Sequence, residues 1–224
     1  MKIYTNELCV FFLTTQHEFQ TDELETAIDY YLNSLKTSSC EFRFDLFIFF
    51  DQTSTTRSLI NLKKYKIHEN VNEVYVVSNK IRDDENLYER NLNTDFPIDK
   101  LPMGRSHGIN HHFYTTLNYL FKTKYKSFLL LESDTKPIKN DWFQNLKKYS
   151  ECNENYTIAG SLYKGKNYKV HRESYYGGHL NGVGLYRNSE KTKKLLNNSK
   201  KYLISELKKD SFFPKSKQKY WEFM

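Results

Sequence analysis

The stretch FLLLESDTKP, residues 128–137, decides the fold of this chain. Phe128, Leu129, Leu130 and Leu131 form a continuous apolar run, the pattern of a strand buried on both faces of a parallel sheet. The run ends abruptly in two carboxylates, Glu132 and Asp134, spaced i and i+2. In extended backbone alternate side chains share a face, so both can turn toward one point. Open α/β sheets bind ligands beyond the carboxyl ends of their strands, which is where this pair falls. Two carboxylates crowded there repel each other and resist desolvation, and a hard divalent cation such as Mg²⁺ or Mn²⁺ relieves both costs. The plainer alternative makes them loop caps paired with Lys136 or Lys139.

Outward from this stretch, strands and helices alternate. Residues 8–14 are apolar and end in Thr14-Thr15, a second doubly buried strand. Asp22 and Glu25 suggest a capping box for a helix whose stripe is Leu24, Ala27, Ile28, Tyr31, Leu32 and Leu35. Residues 42–50 (FRFDLFIFF) read as a strand stopped by Asp51, and residues 57–65 as a short amphipathic helix. Val74 to Val77 read as a further strand, followed by a long polar stretch over residues 80–103. Gly104-Arg105-Ser106 opens a helix with Ser106 at its N-cap and Ile109, Phe113, Leu117, Leu120 and Phe121 as its apolar stripe. Beyond residue 137, a short helix around Trp142, strands at 156–163 and 179–187, and a helix at 190–208 complete the pattern. The expected fold is α/β, a mostly parallel central sheet with helices on both faces, in a single domain over residues 1–224.

Composition narrows the function classes. The chain holds 34 basic and 27 acidic residues, a net charge of +7, which favours anionic partners. Lysines gather near the C-terminus (Lys191, Lys193, Lys194, Lys200, Lys201, Lys208 and Lys209), either as a solvated helix face or as a patch for a membrane surface or polyanion. Cys9, Cys40 and Cys152 are an odd set without CxxC spacing, which speaks against a disulfide framework and for a reducing, cytoplasmic compartment. No segment approaches the roughly 20 apolar residues that span a bilayer. Lys- and Asn-rich usage suits an AT-rich viral or bacterial genome, and the chain could be a domain of something longer.

With its surroundings, the segment Phe128 to Trp142 (FLLLESDTKPIKNDW) resembles the D-x-D region of glycosyltransferases of the GT-A, Rossmann-like fold. The likeness extends over most of the chain. In that family a hydrophobic strand delivers acidic residues to a metal that grips the diphosphate of a nucleotide-sugar. The resemblance therefore implies Mn²⁺ or Mg²⁺ held by Glu132 and Asp134, with Asp134 in direct coordination. The first motif position is Glu here, where the family often has Asp. It further implies a UDP- or GDP-sugar donor and a glycan or glycoconjugate acceptor. Thr14, Thr15 and Asp51 fall where the fold holds base and ribose, and Ser133 lies inside the motif. Arg105, at a helix start, would neutralise phosphate charge with help from the helix dipole. The Gly-rich stretch Tyr176 to Arg187 corresponds to the family's sugar and acceptor pockets, with His179 as a metal ligand and Asn181 and Gly182 as the sugar-pocket floor. An inverting member needs a carboxylate base, for which Glu173 and Asp141 are candidates; a retaining one needs none.

Other signals are weaker. His107 and His111 share a helix face with zinc-compatible spacing, but the Glu of H-E-x-x-H and nearby cysteines are missing, so a polar face toward the cleft is the better reading. Two rivals remain beside the transferase. A sugar-nucleotide nucleotidyltransferase carries a Gly-rich loop after its first strand, whereas TTQHEFQ has no glycine. A non-catalytic nucleic-acid or membrane-surface binder explains the charge but not the leucine strand running into paired carboxylates. The residues favour a nucleotide-sugar partner over nucleic acid, with peripheral membrane contact allowed, and leave an inactive transferase open.

Overall fold

The computed structural model describes residues 3–4, 7–37, 40–52, 56–82, 107–137, 139–162 and 180–210. Its strands are β1 (Ile3–Tyr4), β2 (Leu8–Thr14), β3 (Phe42–Phe50), β4 (Val71–Ser78), β5 (Ser127–Leu131), β6 (Ile158–Leu162) and β7 (Leu180–Arg187). Its helices are α1 (Gln16–Gln20), α2 (Glu23–Thr37), α3 (Thr56–Lys63) with a 3₁₀ turn over Lys64–Ile67, α4 (His107–Leu120), α5 (Trp142–Cys152) and α6 (Glu190–Asp210).

The strands lie in the order β3-β2-β5-β7-β6, with β1 and β4 both paired to β3. Pairing is parallel from β1 through β5. Among the described strands, β7 alone runs antiparallel to the rest, against its neighbours β5 and β6. The mixed α/β architecture with a mostly parallel sheet is thus the expected one.

Period-two alternation builds two cores from the same strands. Leu8, Val10, Phe12, Leu46, Ile48, Phe50, Leu129 and Leu131 face α2 and α5. Cys9, Phe11, Phe47, Phe49, Phe128 and Leu130 face α4 and α6. This is why these strands are apolar throughout rather than alternating: both faces exclude water. The α2 stripe and the α4 residues Phe113, Leu117 and Leu120 are buried as their spacing predicts.

The local reading changes at two places. Thr15 and Glu18 form a capping box at the start of α1, upstream of the Asp22 and Glu25 pair for which one was expected. Asp22 itself sits at φ 59, a left-handed conformation between two helices. β4 begins at Val71, three residues before the apolar run, because its entry is fastened by polar groups. Buried Asn70 donates from Nδ2 to the carbonyls of Cys40 (3.0 Å) and Phe42 (2.8 Å). All three cysteines are free, and among the described residues no helix is long and apolar enough to cross a membrane.

The sheet order also positions the candidate site. From β2 the chain passes through α2 to β3 on one flank, and returns through α4 to β5 on the other. The strand order therefore reverses between β2 and β5, which opens a crevice at their carboxyl ends. The register Phe12↔Leu131 brings Thr14-Thr15 and Glu132-Ser133 to that crevice together.

Candidate functional site

One rim of the crevice is the β2–α1 junction. Thr15 is extended (φ −106, ψ 162) and accepts at Oγ1 from the Glu18 amide. Glu18 Oε2 in return accepts from the Thr15 amide at 2.7 Å and the Thr15 hydroxyl at 3.0 Å, with the Thr14 hydroxyl at 3.4 Å. Its other oxygen, Oε1, accepts from the Ser133 hydroxyl at 3.0 Å. One carboxylate therefore ties the end of β2 to the turn after β5, across the strand-order reversal. Sequence reasoning missed Glu18, although the Thr15-x-x-Glu18 spacing is a recognisable capping signature.

The opposite rim is the turn 132–135. The Thr135 hydroxyl lies 3.1 Å from the Glu132 carbonyl and 2.6 Å from the Tyr31 hydroxyl of α2. Tyr31 in turn meets the Trp142 ring at 5.5 Å, and Trp142 Nε1 donates to Ser34 Oγ at 2.9 Å. The turn is held from α1 through Ser133 and from α2 through Thr135, so its carboxylates sit on a fixed backbone.

Electrostatically the turn is loaded with negative charge. Glu132 is half-buried; burial, then the charges of Asp134 and Glu18, push its carboxyl up to about 7. Asp134 is exposed to solvent. Among the described residues no Lys or Arg forms an ion pair with either, and Lys136 instead stands over the Tyr30 ring at 5.0 Å. Among the described residues no group of three or more His, Cys, Asp or Glu side chains is arranged to hold a metal. A site of two carboxylates without a basic partner suits an ion that completes its shell from a ligand's phosphates.

Beside Thr14, the end of β3 presents Asp51, which is buried. Its amide donates to the Thr14 carbonyl at 3.2 Å, and its Oδ1 accepts from the Gln52 amide at 2.8 Å. His112 of α4 lies beneath this corner. Its Nδ1 faces Asn79 Nδ2 at 2.8 Å and its Nε2 faces the Phe49 carbonyl at 3.1 Å, which fixes the proton on Nε2. Burial lowers its pKa to about 4 against the raising influence of Asp51, so the ring is neutral near pH 7. His112 fastens the ends of β3 and β4 rather than facing solvent.

The structure gathers Thr14, Thr15, Glu132, Ser133 and Asp134 at one crevice, with Asp51 adjoining. Asp141 is exposed at the start of α5, its side chain making no cap hydrogen bond. Asn181 and Gly182 fall on the first residues of β7. Arg105, Glu173 and His179 lie outside the described residues, as does the Gly104-Arg105-Ser106 helix start. Within the Gly-rich stretch, Gly184 has a packing role: a Cβ there would meet the Tyr186 ring at 3.0 Å.

No protein-family profile matches the sequence, and no curated protein matches it. Solved structures do. The chain is similar to the glucosyl-3-phosphoglycerate synthase from Mycobacterium tuberculosis, solved with Mn²⁺, UDP and phosphoglyceric acid (12% identity, TM-score 0.44, 81% of this chain and 55% of that one). It spans little more than half of that synthase. It is similar to the mannosyltransferase Ktr4p from S. cerevisiae (13%, TM-score 0.48, 89% and 62%) and to mouse xyloside xylosyltransferase 1 (14%, TM-score 0.49, 89% and 75%). At these values the likeness concerns chain path and carries nothing about activity.

Proposed function

We propose that the crevice between β2 and β5 is the donor site of a metal-dependent glycosyltransferase of GT-A type, moving a sugar from a UDP- or GDP-linked donor to a hydroxyl of a glycan or glycoconjugate. The observation that carries this reading is Glu132 with Asp134: two carboxylates without a basic partner among the described residues, on a fixed turn at the strand-order reversal. Glu132 and Asp134 would hold Mn²⁺ or Mg²⁺, with His179 as a third ligand. The ion, when bound, supplies positive charge against the diphosphate.

The remaining roles follow from position. Thr14, Thr15, Asp51 and Ser133 are assigned to the nucleotide. Ser133 and Thr15 direct their hydroxyl protons at Glu18, so they offer a ligand lone pairs and backbone rather than O–H donors. Arg105 is assigned to phosphate charge, and Asn181 and Gly182 to the sugar. In transfer, the bond from the anomeric carbon to the diphosphate oxygen breaks and a bond to the acceptor oxygen forms. The acceptor proton passes to Asp141 or Glu173 if the outcome is inverting, and to the departing diphosphate if it is retaining. Charge on the diphosphate grows as the bond breaks, and groups already aimed there contribute most.

A thermal-shift series with UDP and GDP, each with and without Mn²⁺, tests the reading. One nucleotide at a hundred times its Kd should stabilise the protein by about 2.7 kcal/mol, only when Mn²⁺ is present. No shift with either nucleotide, with or without the metal, would overturn it.

A further inference from the structure

We propose that the outer face of α6, together with the groove between α6 and α4, docks the protein on an anionic lipid surface. This inference stands independently of the transferase reading. It begins with charge: α6 carries seven lysines against Glu190, Glu206 and Asp210, a net of +4 within a chain whose total is +7. More than half of the protein's excess positive charge thus sits on one helix.

The helix presents that charge in two ways. Lys193 and Lys200 lie toward α4, over the rings of Phe121 (5.7 Å) and Tyr114 (5.3 Å), with their stems on apolar surface. Lys191, Lys194 and Lys201 are exposed on the outer face. The same face carries Leu195 and Tyr202, 43% and 44% exposed and two turns apart. A leucine and a tyrosine aligned between lysines on one helix face is the arrangement that an interfacial helix uses.

The seam between α4 and α6 adds a cavity. A groove of about 320 Å³ has Leu117, Phe121 and Leu196 among its apolar lining and Lys122 and Lys193 among its polar lining. Its size and mixed lining suit a phosphate-bearing headgroup with apolar carbons behind it. The sequence after α6 is of the same chemical type, with Phe212, Phe213, Tyr220, Trp221 and Phe223 among Lys215, Lys217 and Lys219. Lysines alone would serve nucleic acid equally well; the apolar and aromatic component favours lipid. α1 and α2, which border the crevice, pack on the opposite face of the sheet, so docking through α6 leaves the crevice open.

The test is co-sedimentation of the full chain with vesicles of phosphatidylcholine alone and of phosphatidylcholine mixed with phosphatidylserine. The protein should pellet with the anionic vesicles only, and less as salt is raised. At about 1 kcal/mol per lysine, Lys191→Ala, Lys194→Ala and Lys201→Ala combined should lower the partition coefficient on the order of a hundredfold. Leu195→Ser with Tyr202→Ser should weaken it severalfold. All five side chains are exposed, so both variants should melt with the wild type. Failure to bind anionic vesicles, equal binding to neutral ones, or full retention by the lysine variant would overturn the proposal. So would tight binding to a duplex oligonucleotide that the Leu195 and Tyr202 changes leave untouched.

Discussion

Glu18 holds the two rims of the crevice through both of its oxygens, one on Thr15 and one on Ser133. Glu18→Ala should therefore cost about 1–2 kcal/mol in urea unfolding, the size of a lost cap, and also weaken Mn²⁺-dependent nucleotide binding. Glu18→Gln retains an acceptor and should recover part of both. Equal stability and binding in all three proteins would remove Glu18 from this role. His112 gives a second residue-scale prediction. Its pKa is lowered from 6.5 to about 4 in the folded protein, where it faces Asp51, His111, Asn79 and the carbonyls of Phe49 and Thr14. The folded state thus binds fewer protons than the unfolded one between those values. The stability that neutral His112 contributes is complete above pH 6.5 and is lost as pH falls toward 4. Urea midpoints for wild type and His112→Asn should converge over that window on acidification; a constant difference would contradict the assignment.

At the scale of elements, Gly184 pairs with Leu130 where β7 meets β5, and it leaves room for the Tyr186 ring. Gly184→Ala brings a methyl to 3.0 Å from the ring of buried Tyr186, two residues further along the same strand. The expected cost is about 1–3 kcal/mol in chemical denaturation, and a neutral result would mean the ring has room to move. The elements also show what sequence could and could not carry. β2 and β5 were legible because doubly buried strands leave a continuous apolar run, Leu8 to Leu13 and Phe128 to Leu131. The start of β4 was not, since Asn72 and Glu73 interrupt the run. The five-residue α1 is too short to show a period, and with it went Glu18. Tyr31 was legible as a core residue of α2 but not as the partner of Thr135, 104 positions away. The direction of β7 and the neutral, buried state of His112 depend on contacts between distant segments, which no local pattern encodes.

For the whole molecule, one sheet with a core on each face predicts one cooperative unfolding transition by calorimetry. Two resolved transitions would contradict the single-domain reading. The sheet order makes the crevice, the crevice collects Thr14, Thr15, Glu132, Ser133 and Asp134, and we propose that the two acids, without a basic partner among the described residues, hold a cation that brings its own anionic ligand. That last step is the central claim. It is tested most directly by counting free Mn²⁺ by electron paramagnetic resonance as UDP or GDP is added to wild type and to Asp134→Asn. The account predicts that bound Mn²⁺ rises with one of the nucleotides in the wild type and stays low in the variant, although Asp134 is exposed and its substitution should leave the fold intact. Nucleotide-independent Mn²⁺ binding, or unchanged binding in Asp134→Asn, would contradict it.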